Sequence, residues 1–99
     1  MVHNRSTILK AIESHRDEIR NFGAKRLGLF GSAARGEAEN DSDLDFVVEL
    51  DRKSFDAYMG LKHYMEDLFG RPVDLVLIDS IKPRLREKIL GEAVYAAGL

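Results

Sequence analysis

Three aspartates and one glycine-serine pair carry most of the chemistry open to this sequence. Asp43 and Asp45 stand two apart at the start of an apolar run, and Asp74 interrupts a second one. In a β-strand, residues i and i+2 project to the same face. Asp43 and Asp45 at a strand start therefore extend two carboxylates side by side from rigid backbone, while Leu44 and Phe46 point into the core. Such a pair repels itself and suits a hard divalent cation. Aspartate is uncommon inside strands and costly there if buried without partners, so Asp74 calls for a reason. If its strand lies beside the Leu44 strand, all three carboxylates share a face. Three carboxylates around one or two magnesium ions form a phosphoryl-transfer site, where the metals activate the attacking oxygen and stabilise the leaving pyrophosphate.

Gly31-Ser32 follows directly on a short apolar stretch. A glycine there lets the chain turn sharply and approach a ligand closely. If a helical turn follows, its free N–H groups favour an anion. Ser32 adds a hydroxyl donor, and Arg35 could reach a phosphate with its charged fork.

Three other readings compete. Asp41, Asp43 and Asp45 imitate the start of an EF-hand loop, but Phe46 and Arg52 stand where that loop needs Gly and Glu. Gly31 and Gly36 have the spacing of a Walker A loop, but Glu37 and Ala38 replace its Lys and Ser/Thr. The third reading takes Glu39 to Asp43 as a polar turn. It leaves Asp45, Asp74 and Gly31-Ser32 unexplained.

The elements that must position these residues follow from periodicity. Ser6 is a candidate N-cap for a first helix with Ile8, Ile12, Ile19 and Phe22 on one face and Gly23 as its stop. His15 lies near that face and reads as a boundary residue rather than a ligand. Lys25 to Phe30 predicts a strand, Ala33 to Ala38 a helical turn, and Leu44 to Leu50 a second strand. Ser54 can cap a helix whose Phe55, Tyr58, Leu61, Met65 and Leu68 recur at helical spacing, ended by Gly70. Pro72 opens a strand from Val73 to Ile78. Pro83 starts a last helix to about Leu90, stopped by Gly91, with Ala93 to Ala97 as a short extended tail. The order predicts an α/β (α+β) fold, a small sheet of three or four strands flanked by helices. Strand direction stays open.

The chain has 99 residues and no internal repeat, and is expected to be one domain, residues 1–99. It holds no cysteine, which excludes disulfides and cysteine-ligated zinc and favours a reducing cytoplasm. Met1 to Arg5 lacks the apolar stretch of a signal peptide, and no apolar run reaches the roughly 20 residues of a membrane span. Net charge is −2, which disfavours binding to nucleic acid through its phosphates. Lys82, Arg84, Arg86 and Lys88 read first as a solvated helix face and second as a partner-facing patch.

Gly31-Ser32, ten residues, then Asp43-Leu44-Asp45 resembles the signature of the DNA polymerase beta-like nucleotidyltransferase superfamily. Arg35-Gly36 and Ser42 are similar to the form found in its minimal nucleotidyltransferases (MNT). The resemblance continues through Pro72 to Val76 and the segment Lys82 to Tyr95. It implies a mixed sheet, magnesium at Asp43 and Asp45, Asp74 as third catalytic carboxylate, and Gly31 and Ser32 on the triphosphate. It also implies an antitoxin that transfers AMP from ATP to a tyrosine of a HEPN-domain toxin. The short chain leaves little for a substrate pocket. A protein partner or a two-fold oligomer could supply one. The alternatives are an antitoxin that neutralises by binding alone and a transferase for a small-molecule acceptor. Lys82 to Lys88 and Tyr95 to Leu99 are the candidate docking segments.

Overall fold

The computed structural model describes residues 4–37, 43–51 and 54–99. The elements are α1 (Arg5–Ser14), α2 (Arg16–Asn21), β1 (Ala24–Phe30), α3 (Gly31–Ala34) and β2 (Leu44–Leu50). They continue with α4 (Phe55–Phe69), β3 (Val73–Leu77), a 3-10 turn (Ile78–Ser80), α5 (Pro83–Glu92) and β4 (Val94–Tyr95). The far end of the expected Ala33–Ala38 turn, the Glu39–Ser42 stretch and Arg52 lie outside the described residues.

One sheet runs in the order β3-β2-β1-β4. β1 is antiparallel to β2 and β4, whereas β2 and β3 are parallel. Parallel neighbours need a crossover, and α4 provides it. The sheet is therefore mixed.

Alternation along the strands divides the apolar side chains between two faces. Leu44, Phe46, Val48 and Leu50 of β2 join Leu27, Leu29, Val73 and Leu75 on one face. There they meet Ile8 and Ile12 of α1, Ile19 of α2, and Leu61, Met65 and Phe69 of α4. Val47 turns the other way, to Ile78 and Ile81, with Ile89, Leu90 and Tyr95 packed around them. Asp45 and Asp74 share that second face, because each is offset by one residue from the core-facing set. On this face α5, which begins with Pro83 at its first turn, packs Ile89 and Leu90 against the Val47 cluster.

Several local expectations are corrected. Asn4, not Ser6, caps the first helix, with its side chain accepting from Thr7 N and the Thr7 hydroxyl accepting from Asn4 N. The helix also breaks at His15, whose ψ of 20° departs from helical geometry. His15 is half-buried, and its Nδ1 lies 2.8 Å from the Tyr64 hydroxyl. Ser54 does cap α4, and Gly70 ends it in the left-handed conformation. Phe55 leaves the predicted apolar face: it is 76% exposed, and Phe69 fills the core from the helix's other end. Gly91 lies inside α5 instead of stopping it. The expected tail at Ala93 to Ala97 is extended where it enters β4, and it is tied to the sheet. Val94 and Tyr95 pair with β1, Ala96 is buried, and Arg26 sits 4.3 Å above the Tyr95 ring. Lys82 to Lys88 are exposed throughout, as a solvated face requires. Among the described residues, no helix is long and apolar enough to cross a membrane.

The division between core and surface is measurable. Ile12→Ala should cost about 2–5 kcal/mol in urea denaturation, whereas Phe55→Ser should stay within about 0.5 kcal/mol of the parent. Equal losses at the two positions would contradict the packing.

Candidate active site

The site is built where β1, β2 and β3 present corresponding ends. Phe30, the last residue of β1, is the register partner of Asp45, and Asp45 is the partner of Asp74. The turn after β1 therefore opens beside the carboxylates. Leu44 N donates to Pro72 O at 3.0 Å, which fixes the start of β2 against the entry of β3. Buried Leu44 and Phe46 flank Asp45 and hold its backbone from the opposite face.

Asp45 is half-buried, whereas Asp43 and Asp74 are exposed. Burial pushes the Asp45 carboxyl above the usual carboxylate range, and the charges of Asp74 and Asp43 add to that. Arg35 pulls the other way, and Glu92 raises it further. Asp74 interrupts an apolar strand without being desolvated, so the cost expected of a buried aspartate does not arise. Among the described residues, no three His, Cys, Asp or Glu side chains stand within reach of a common ion. The backbone nevertheless sets Asp45 and Asp74 side by side, and the mutual repulsion that shifts Asp45 is what a divalent cation would relieve. In that sense the donor set fits a hard metal.

Gly31 has a φ of 76°, open to glycine at little cost. A Cβ at this position would collide with Asp45 Oδ2 and lie 3.1 Å from Asp45 Cγ. The glycine thus allows the turn to press directly against a carboxylate. Ser32 is half-buried in α3, a single turn that lies against β2. Arg35 follows, its Nε donating to Glu37 Oε2 at 3.1 Å and its Nη1 to Glu92 Oε1 at 2.7 Å. The bond to Glu37 and the charge of Glu92 keep the guanidinium firmly protonated.

Asp43, Asp45, Asp74, Gly31, Ser32 and Arg35, all singled out from sequence, thus come from one end of the sheet. Glu92 is the residue that sequence reasoning missed. Its Oε1 also accepts from Gly31 N at 2.7 Å. It lies 61 positions away from Gly31 in the chain, and no local pattern marks it. An apolar cavity of about 210 Å³, lined by Leu50, Ser54, Phe55, Tyr58 and Leu77, lies elsewhere. Leu50 is five residues beyond Asp45 along β2, roughly 16 Å at the usual strand rise.

One end of the sheet thus gathers Asp45 and Asp74 beside a glycine-serine turn. Residues 11–96 match the model of the nucleotidyltransferase domain, and the chain belongs to that family. Its relatives narrow the resemblance to the minimal members. The protein adenylyltransferase MntA of Thermococcus cleftensis is 41% identical over 93 residues, covering 88% of this chain and 94% of the relative. A solved structure described as a minimal nucleotidyltransferase matches with TM-score 0.82 and 38% identity, over 93% of this chain and 95% of that one. The tri-AMPylated Shewanella oneidensis HEPN toxin in complex with MNT antitoxin gives TM-score 0.64 at 19% identity, over 92% of this chain and 73% of that chain. That last likeness speaks for the fold. With the family and the named adenylyltransferase relatives, this chain is a nucleotidyltransferase.

The Asp45 environment predicts a pH signature. An acid whose folded value is raised holds its proton more tightly in the native state. Its contribution to stability is present below the unfolded value and lost as pH rises through the raised value. Asp45→Asn should therefore melt higher than the parent at pH 7 in chelator, and the gap should close on acidification through the carboxylate range. A gap that is absent at pH 7, or independent of pH, would contradict the shift.

Proposed function

We propose that this nucleotidyltransferase moves AMP from ATP, with magnesium, onto a tyrosine hydroxyl of a HEPN-type toxin and so acts as its antitoxin. The observation that carries the reading is the register pairing of Asp45 with Asp74 beside the Gly31–Arg35 turn. The acceptor is argued from relatives: one is named a protein adenylyltransferase, and another is an MNT antitoxin bound to an AMPylated HEPN toxin. We read residues 1–99 as a single catalytic domain working in a reducing cytoplasm. A protein acceptor then brings its own recognition surface, and nucleic acid is disfavoured by the net charge of −2.

In this reading Asp43, Asp45 and Asp74 would hold magnesium, which when bound supplies charge stabilisation to the triphosphate and the attacking oxygen. Gly31 lets the backbone approach the phosphates, Ser32 donates its hydroxyl, and Arg35 offers a fork to a phosphate oxygen. The tyrosine oxygen bonds to the α-phosphorus as the bond to the bridging oxygen breaks, and pyrophosphate leaves. In the same reading Asp74, exposed beside Asp45, takes the hydroxyl proton.

Incubation with labelled ATP, magnesium and the HEPN-type partner tests this reading. Partner mass should rise by one or more AMP units, and toxicity should fall with it. Asp43→Asn should still bind the partner, but transfer should fall on the order of a thousandfold or more. If Asp43→Asn protects cells fully, neutralisation comes from binding alone.

A further inference from the structure

Glu92 is the last residue of α5, on the sheet face that also carries Asp45 and Asp74. β4 begins two positions on, where Val94 pairs with Leu29 and Tyr95 with Gly28. Ala93 N closes the helix by donating to Ile89 O at 3.0 Å. The main chain of Glu92 is therefore held on both sides, by helix and by sheet. From this anchored position one carboxylate oxygen, Oε1, accepts two hydrogen bonds, from Gly31 N at 2.7 Å and from Arg35 Nη1 at 2.7 Å.

We propose that Glu92 is a positioning residue: it ties the Gly31 backbone to the Arg35 guanidinium and so holds the nucleotide loop in its working shape. The inference rests on the nucleotidyl-transfer reading of the site and deepens it. The backbone of Gly31 presses against Asp45, so its orientation decides whether the turn lies against the carboxylates or swings away from them. A long exposed arginine samples many rotamers, and two anchors remove most of that freedom. The Glu37 and Glu92 bonds use two of the five guanidinium N–H groups. The remaining groups are then presented to a phosphate in a fixed direction. The placement carries an electrostatic penalty, because Glu92 adds a third negative neighbour to Asp45, beside Asp74 and Asp43. A carboxylate serving only to join α5 to the sheet has no need to stand there.

The opposite role is a gate, with Glu92 occupying donors that the triphosphate needs. The two roles differ in sign. A gate, once removed, leaves nucleotide binding tighter. A positioning residue, once removed, leaves it weaker.

The test is a double-mutant cycle on Arg35 and Glu92, read by binding of a non-hydrolysable ATP analogue with magnesium, by KM and kcat for ATP, and by melting temperature. Glu92→Ala should weaken analogue binding on the order of tenfold, the loss of one charge-assisted hydrogen bond. KM should rise with it, and kcat should change less. Arg35→Ala should give a similar loss, and the double variant little more than either, because the second residue acts through the first. Glu92→Gln keeps an acceptor oxygen and should recover most of the binding. Tighter binding in Glu92→Ala would establish a gate and overturn the proposal. Unchanged binding with a lower melting temperature would make Glu92 purely structural and overturn it too. Additive losses would separate Glu92 from Arg35 and remove the proposed link. If the parent protein itself fails to bind the analogue, the transfer reading falls, and this inference with it.

Discussion

Two carboxylates placed side by side on adjacent parallel strands repel each other, and the rest of the molecule must hold them there. Asp45 and Asp74 are register partners, and the burial of Asp45 sharpens the repulsion. What opposes it lies on the reverse face of the same strands. Leu44, Phe46, Val48, Val73 and Leu75 are buried against three helices. Each fully buried aliphatic or aromatic side chain contributes about 1.5–3 kcal/mol, so the set outweighs a strained pair of partly solvated charges. β2 is thus core on one side and chemistry on the other. The alternation of its residues makes that division without any special backbone geometry.

The same constraint explains the surrounding charges. Arg35 is the positive group that lowers the cost of ionising Asp45, and it is itself steadied by Glu37 and Glu92. Gly31 is the only kind of residue that fits between the turn and the Asp45 carboxylate. On the far side of the sheet centre, β4 docks on β1 and brings the end of α5 to this point. The second, smaller apolar cluster around Val47, Ile78 and Ile81 fastens the elements around α5 to the sheet. The C-terminal region is therefore part of the site's support.

Much of this was legible in the sequence because it follows from short-range periodicity. The strand at Leu44 to Leu50, the Ser54 cap and the Gly70 stop are all local. The misses have physical reasons. Phe55 matched the helical stripe, but it is the first residue of α4, where it borders an open cavity beside Leu50 and Leu77 instead of entering the core. Gly91 looked like a stop because glycine weakens helices, yet α5 continues one residue past it and so delivers Glu92. Strand direction and the contacts of Glu92 depend on long-range packing, which no window along the chain contains. The extended tail at Ala93 to Ala97 was legible too, but its pairing was not: Gly28, the partner of Tyr95, lies on a strand far earlier in the chain.

The central claim is that Asp45 and Asp74 act as one cation-binding unit because the parallel register makes them neighbours. Calorimetric titration of manganese, in the presence of a non-hydrolysable ATP analogue, tests it most directly. The account predicts that the parent binds the ion, and that Asp45→Asn and Asp74→Asn each lose most of that affinity while remaining folded. Undiminished manganese binding in either variant would contradict it.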